Sequence, residues 1–103
     1  MQPVYEALLE LAMSLGDDVK ADPDEAAVHL KRNHVFARIK PITRKRIDLG
    51  LALGLRRARG RLADCGGFAK RDRITHRIAI AFLADIDEEV KGWLRVAYDE
   101  DRD

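Results

Sequence analysis

Apolar residues recur at helical spacing at both ends of the chain. In the stretch PVYEALLELAMSLG, Pro3 occupies a favourable first helical position and Gly16 stands where a helix would end. This pattern predicts an N-terminal helix of about 13 residues. A second helix is predicted to begin with Asp85 as its cap, because Glu88 follows at the spacing of a capping box, and to run to about Tyr98. Its apolar stripe consists of Ile86, Val90, Trp93, Leu94 and Ala97.

Between these helices the chain alternates apolar and polar residues with the period of a β-strand. The stretch AVHLKRNHVFARIK closes into a hairpin if Asn33 and His34 form a two-residue turn. The predicted register pairs Arg32 with Val35, Leu30 with Ala37 and Val28 with Ile39. The apolar members of these pairs then share one face, and the opposite face collects His29 against Arg38 and Lys31 against Phe36.

Two further alternating runs extend the predicted sheet. The run RIDLGLAL places four apolar residues on the buried face, Ile47, Leu49, Leu51 and Leu53. A short loop after Pro41 would bring Ile39 opposite Ile47 and Arg38 opposite Asp48. The run ITHRIAIAF adds a second apolar set, Ile74, Ile78, Ile80 and Phe82, with Thr75 and Arg77 on the other side. His76 falls on the apolar side, where we interpret it as a hydrogen-bonded structural histidine.

The remaining segments predict connections. Residues 17–25, DDVKADPDE, predict a solvated loop, and they lack the glycine and the closing glutamate of an EF-hand calcium loop. Residues 54–72 are rich in Gly and Arg without a sustained period and predict an irregular arm. The predicted fold is one α+β domain over residues 1–103, in the order α-β-β-β-arm-β-α. Its antiparallel sheet of about four strands carries the N-terminal and the C-terminal helix on one face.

Length and composition agree with a single domain. With 103 residues and 47% apolar content, the chain can bury a core without disulfides or metal. No apolar run approaches the roughly 18 residues of a membrane span, and the start MQPVYEALLE lacks the regions of a signal peptide. The single cysteine, Cys65, cannot form an internal disulfide. We therefore expect a cytoplasmic protein with no cofactor, no metal and no membrane partner.

The charges are segregated along the chain. Residues 31–77 contain 15 Lys and Arg against 3 acids, and the rest of the chain contains 4 against 15, so the net charge of +1 hides a basic middle segment. Such a segment is typical of proteins that bind an anionic partner, a nucleic acid or a phosphorylated ligand. The alternative is that acidic helices and basic strands of one domain neutralise each other.

Several motifs in one order resemble a known family. FARIKPITRKRIDLGLALG, GRL, THRI and DIDEEVKGWLRVAYD are similar, over nearly the entire chain, to the bacterial family called domain of unknown function 5655. The resemblance implies a compact α+β module, often the C-terminal part of longer bacterial proteins, and it supplies no catalytic residue. A chain that begins with this module is expected to stand alone or to have lost its companion.

The open face of the predicted sheet is the first candidate site. Cations supply phosphate contacts, and an exposed aromatic ring can stack on a base. The predicted site residues are side chains around Phe36, namely His29, Lys31, Arg38, Lys40, Arg46 and Arg77, with Thr75 nearby and Arg59 in the arm. The spacing carries no RNA-recognition signature. The alternative is a solvated charged face that keeps sheets from associating.

Three other functions stay open. An enzymatic role would need a base beside Cys65, but the three histidines form no Cys/His constellation and no metal-ligand spacing. A small phosphate or carboxylate metabolite is a possible ligand of the arginines near Gly60, Gly66 and Gly67, glycines that equally suit turns. In a homo-oligomer, the basic arm of one copy would meet an acidic helix of another.

Overall fold

The computed structural model describes residues 2–65 and 73–101. In chain order the elements are α1 (Gln2–Met13), β1 (Lys20–Pro23), β2 (Val28–Lys31), β3 (Val35–Thr43), β4 (Arg46–Leu51), β5 (Ala63–Asp64), β6 (His76–Ile80), a 3-10 turn (Leu83–Asp85) and α2 (Glu88–Glu100). The six strands form one sheet in the order β1-β2-β3-β4-β6-β5, and every neighbouring pair is antiparallel. Within the described ranges, neither helix has the length and apolar character needed to cross a membrane.

Both helices pack against the apolar face of the sheet, which confirms the predicted α+β class. Leu8 of α1 and Leu94 of α2 are fully buried in the same hydrophobic cluster as the inward-facing strand residues. The strand members of that cluster include Leu30, Ala37, Ile39, Ile47, Leu49, Leu51, Ile78 and Ile80. The polar residues that alternate with them are therefore left on the opposite face of the sheet, which we call the open face.

The β2–β3 register agrees with the prediction except at the turn. Val28 pairs with Ile39 and Leu30 with Ala37, as predicted. The register then shifts, so that Lys31 pairs with Val35 and the predicted pairing of Lys31 with Phe36 is wrong. The backbone N–H of Arg32 donates to the carbonyl of His34 at 3.0 Å in a three-residue turn, so the predicted two-residue turn and the pairing of Arg32 with Val35 are also wrong. One strand residue is then in excess, and the resulting β-bulge leaves Phe36 without a direct partner.

The β3–β4 register differs from the prediction by two residues. Ile39 pairs with Leu49 rather than Ile47, and Arg38 pairs with Gly50 rather than Asp48. The predicted loop does not form, because both strands continue to a two-residue turn at positions 44 and 45. A shift of two residues preserves the face of every side chain, so the predicted buried set is correct although its partners are not.

Two strands were missed by the sequence analysis. The predicted solvated loop contains β1, which pairs along its length with β2, and the predicted arm contains the short strand β5 at the other edge. All four β1 residues are exposed, so no apolar alternation marks this strand. Gly66 and Gly67 of the arm lie outside the described residues.

The last strand is shorter than predicted at both ends, and the second helix begins later than predicted. Phe82 is 71% exposed rather than buried, because β6 ends at Ile80 and the chain turns away. Ile74 is buried outside the main core and lies beside Gly50. A Cβ added to Gly50 would lie only 2.7 Å from the Cγ2 atom of Ile74. The cap of α2 is Asp87, whose carboxylate accepts from the N–H of Val90 at 3.2 Å. The prediction that Asp85 caps this helix was wrong. Its carboxylate instead accepts hydrogen bonds from the N–H groups of Ala81 and Phe82, in the turn before the helix.

His76 is a structural histidine, as predicted. It is 1% exposed, and its Nε2 donates to the backbone carbonyl of Arg56 at 2.7 Å. Because a carbonyl oxygen can only accept, Nδ1 of a neutral ring accepts from Oγ1 of Thr75, also at 2.7 Å. The imidazole therefore joins β6 to the segment that follows β4.

Candidate functional site

The open face carries the predicted cations, but acidic side chains are interleaved with them. On β2, the Nε2 atom of His29 lies 2.7 Å from Asp24 Oδ2, and Lys31 Nζ lies 2.8 Å from Asp22 Oδ2. The hydrogen bond from His29 and two backbone donors lower the pKa of Asp24 to about 2, so that carboxyl is ionised at neutral pH. Each of these two side chains, predicted to contact phosphates, therefore already has an anionic neighbour.

Asp48 compensates two more of the predicted site residues. Its carboxylate accepts from Arg46 at 2.9 and 3.2 Å and from Arg77 at 3.2 Å. Asp48 is 8% exposed, and its hydrogen bond raises the pKa of Arg46 above the ordinary value. Lys40 lies opposite Asp48 on the neighbouring strand, and Arg38 is half-buried. Asp48, Arg46 and Arg77 thus form a paired charge network on this part of the open face, with which Lys40 forms no ion pair.

Phe36, the predicted stacking platform, is not on the open face. The bulge described above turns its side chain to the helix side, where it is fully buried. Its ring meets the Tyr98 ring edge to face, with centroids 5.7 Å apart. A fully buried ring cannot stack on a base, so the open face has no aromatic platform at this position.

A group of cations projects beyond the sheet at the β3–β4 turn. β2 stops pairing with β3 at Ile39, and β6 stops pairing with β4 at Ile47. Residues 40–46, KPITRKR, therefore form a two-stranded projection with four cations and no acid, which we call the basic ribbon. Residues 40–45 are all exposed.

The charges of the basic ribbon are largely uncompensated. Arg46 at its base is paired with Asp48, but the side chains of Lys40, Arg44 and Lys45 form no ion pair with any residue in the described ranges. Beside the ribbon, a groove of about 540 Å³ is lined by Gln2, Tyr5, Pro41, Arg44 and Ile47. The ribbon thus joins free positive charge to an adjacent, mostly apolar groove.

A second cationic region, residues 54–61, lies against α2, and we call it the arginine loop. Arg56 forms a two-point ion pair with Glu100, and Arg61 contacts Asp87 at 2.8 Å. These ion pairs agree with the alternative interpretation of the charge pattern, in which basic and acidic segments of one domain neutralise each other. Arg59 lies over the Trp93 ring, 5.6 Å from its centroid, and these two residues line a groove of about 260 Å³ together with Arg56 and Arg57.

The β2–β3 turn is fastened to the end of α2. The Asp101 carboxylate accepts from the backbone N–H groups of Asn33 and His34, at 3.0 and 2.9 Å, and lies 2.8 Å from Nδ1 of His34. In addition, Arg32 donates to the carbonyl of Tyr98 at 2.9 Å. We call this set of contacts between residues 32–34 and 98–101 the C-terminal latch. Asp101 is 3% exposed, and the latch satisfies its charge in a buried position.

The positions of the histidines and of Cys65 do not favour an enzymatic role. His29 and His34 each lie beside a carboxylate, but neither lines one of the grooves described above. Cys65 is half-buried, and its thiol donates to the carbonyl of Ile74 at 3.5 Å. Within residues 2–65 and 73–101, no group of three His, Cys, Asp or Glu side chains is arranged to hold a metal ion.

Sequence reasoning identified only part of the ribbon. Lys40 and Arg46 were among the predicted site residues, but Arg44 and Lys45 were assigned to a loop. The signal that could have found them is the run KPITRKR, in which β-branched residues favour strands and four of seven residues are cationic. This run does not reveal that the neighbouring strands β2 and β6 end before it and leave it projecting from the sheet.

Comparisons with known proteins identify one family. No curated protein and no solved structure matches the chain. The family model described as "Domain of unknown function (DUF5655)" matches residues 1–101, which include all four of the motifs that suggested the resemblance. The chain therefore belongs to the family described as "Domain of unknown function (DUF5655)".

Proposed function

We propose that the protein is a non-enzymatic binding module whose partner is an anionic polymer, a nucleic acid. The observation that carries the proposal is the basic ribbon, where Lys40, Arg44 and Lys45 stand exposed with no acidic partner among the described residues. Phosphate contacts by such cations release counterions and supply most of the affinity of sequence-independent binding. The lone cysteine is consistent with the cytoplasm as the compartment of this interaction.

The shape of the ribbon also supports this partner. A two-stranded β-ribbon fits into a groove of a nucleic acid duplex or along a single strand. On the open face, by contrast, His29, Lys31, Arg46 and Arg77 would have to exchange their present carboxylate partners for phosphates. We therefore propose the ribbon as the primary contact and the open face as its flank.

The proposal is tested by salt-dependent binding. Fluorescence anisotropy titrations with labelled single-stranded and duplex oligonucleotides at about 50 and 200 mM salt should show affinity that falls steeply with salt. Neutralising three duplex phosphates corresponds to a slope of about −2.7 in log K against log salt. Reversing both turn charges, Arg44→Glu with Lys45→Glu, should weaken binding at least about ten-fold and reduce the slope by about two.

A matched variant controls for net charge. Lys20→Glu with Lys91→Glu makes the same change in total charge on exposed residues of β1 and α2, away from the ribbon. We expect this variant to bind nearly as the wild type does. Equal losses in the two variants would show a diffuse electrostatic effect, and no binding of either oligonucleotide at 50 mM salt would refute the proposal.

A small anionic ligand is a second candidate, supported by the groove of the arginine loop. Arg56, Arg57 and Arg59 line it together with Trp93, and a volume of about 260 Å³ suits a small phosphate or carboxylate compound. Calorimetric titration with inorganic phosphate should then give binding that Arg57→Glu removes and the ribbon variant leaves unchanged. Absence of heat in the wild type at millimolar phosphate would exclude this candidate.

A further inference from the structure

Exposed apolar side chains occur within the basic ribbon and just after β6, the strand that ends beside the ribbon's base. Phe82 is 71% exposed, Leu83 is 54% exposed, and Ile42 within the ribbon is 43% exposed. Alternation along ITHRIAIAF placed Phe82 in the core, so its exposure is a departure that needs a physical cause. The cause is a fixed change of chain direction after β6.

The sheet register places Phe82 close to the ribbon. Ile80, the last residue of β6, pairs with Ile47, the first β4 residue after the ribbon. Phe82 follows two residues later in an extended conformation, with φ −131° and ψ 158°. Two residues span at most about 7 Å and paired strand residues lie about 5 Å apart, so the Phe82 backbone lies within roughly 12 Å of Ile47 at the base of the ribbon.

The backbone that carries this ring is held in one shape. The Asp85 carboxylate accepts from the N–H of Ala81 at 2.9 Å and from the N–H of Phe82 at 3.0 Å. These two bonds lower the pKa of Asp85, so the carboxylate remains ionised at neutral pH. Phe82 is thus presented on an ordered turn rather than on a loose loop, which reduces the entropy that binding must remove.

We propose that Phe82 stacks on a base of a single-stranded nucleic acid whose phosphates contact the basic ribbon. The inference rests on the proposed function and narrows its partner from nucleic acids in general to single strands. Bases in a duplex are stacked on each other, whereas those of a single strand offer free faces to an aromatic ring. A positive track beside an aromatic side chain is the combination that binds single strands without sequence preference.

The same side chains would also suit an anionic membrane surface, but the observations favour a nucleic acid. Binding in a membrane interface generally uses the continuous apolar face of an amphipathic helix. Here the exposed apolar residues belong to a strand end and a single 3-10 turn, and the cations lie on a narrow ribbon. Binding to vesicles of anionic lipid is therefore an outcome to be measured rather than the partner we propose.

The test compares three proteins with two oligonucleotides of equal length. The wild type should bind a single strand about ten-fold more tightly than a duplex at 50 mM salt. Phe82→Leu keeps an apolar side chain but removes the ring, and it should lose about ten-fold on the single strand with little change on the duplex. Phe82→Tyr keeps the ring and should retain the wild-type preference. Because Phe82 is exposed, urea melts of the three proteins should coincide.

The outcomes separate this inference from the proposed function. Ribbon-dependent binding that Phe82→Leu leaves unchanged would overturn the stacking role and leave the proposed function standing. No binding of either oligonucleotide would overturn both. Vesicles of anionic lipid that bind the wild type but not Phe82→Leu, with oligonucleotides unbound, would replace the nucleic acid by a membrane surface.

Discussion

Leu30 and Lys31 are neighbours in the chain that face opposite sides of the sheet. Leu30 is fully buried, and Lys31 lies on the open face with 44% of its side chain exposed. Leu30→Ala is expected to lower the free energy of unfolding by about 2 to 5 kcal/mol, through lost burial and the cavity left behind. Lys31→Ala should change it by less than about 0.5 kcal/mol.

Urea melts of these two variants measure the difference directly. Because they alter adjacent positions of one strand, each serves as the other's control. A Lys31 variant that is the less stable of the two would mean that β2 is displaced by one residue, since such a slip exchanges the faces of all its side chains.

The two misplaced phenylalanines show where alternation stops being informative. Alternation assigned Phe36 to the open face and Phe82 to the core, and the structure has each on the opposite side. In both cases the pattern is broken by backbone geometry, a bulge before Phe36 and the end of β6 before Phe82. Such breaks depend on hydrogen bonds within turns, Arg32 to His34 and Phe82 to Asp85, which the alternation of apolar and polar residues does not record.

The C-terminal latch connects two elements that are far apart in the chain, the β2–β3 turn and the end of α2. Asp101→Asn keeps the shape of the side chain but replaces an accepting oxygen by an amide that cannot accept a hydrogen bond. We expect a loss of about 1 to 3 kcal/mol in the free energy of unfolding, because the hydrogen bonds from Asn33 and His34 lose their charged acceptor.

A matched change on the same helix isolates this effect. Asp99 is 57% exposed on its side chain and lies 3.8 Å from Arg95 in a surface ion pair, so Asp99→Asn should have little effect. Comparison of urea midpoints for the two variants is the measurement. Similar midpoints would show that the latch contributes no more than an ordinary surface contact.

At the level of elements, the sequence predicted those that bury an apolar face. Both helices and the strands β2, β3, β4 and β6 follow from periodicity, because their faces meet the core. β1 has no buried residue and is held by backbone pairing with β2 and by the surface ion pair of Asp22 with Lys31, so no apolar alternation marks it. The α2 cap was misassigned because Asp85 and Asp87 both suit a cap, and only the turn after β6 decides between them.

The whole molecule should lose stability in acid. Among the described residues, six aspartates have a pKa below the ordinary value of 3.8, namely Asp18, Asp22, Asp24, Asp85, Asp87 and Asp101. Burial by itself would raise the pKa of Asp101, but hydrogen bonds from His34 and Asn33 reverse that effect. A carboxyl with a lowered folded-state pKa stabilises the fold above its unfolded pKa and loses this contribution as the pH falls through the folded value.

The stabilisation is therefore complete above about pH 4 and declines toward pH 2. Urea midpoints measured at pH 5, 3.5 and 2.5 should decrease in that order. Asp24→Asn, which removes the carboxyl whose pKa is lowered to about 2, should begin lower and fall less steeply. Midpoints that stay constant down to pH 2.5 would contradict the assignment.

The sequence predicts which segment of the chain is basic, but it does not predict which cations of that segment are left unpaired on the surface. The basic middle segment is evident in the sequence. In the folded protein, however, many of its cations form ion pairs with acids of other segments, for example Arg61 with Asp87 and Arg56 with Glu100. What remains uncompensated depends on which strands extend beyond their neighbours. That length difference, rather than the charge count, places the free cations on the ribbon.

The C-terminal latch also has a consequence for the order of events during synthesis. At a translation rate of about 5 to 20 residues per second, the turn at residues 33–34 is made roughly 3 to 13 seconds before Asp101. Until Asp101 arrives, the two N–H groups of that turn are left to water, and the newly made hairpin lacks its hydrogen bonds to the end of α2. A nascent chain therefore completes this fold only when nearly the whole domain has been translated, and a chain interrupted before α2 keeps its hairpin unlatched.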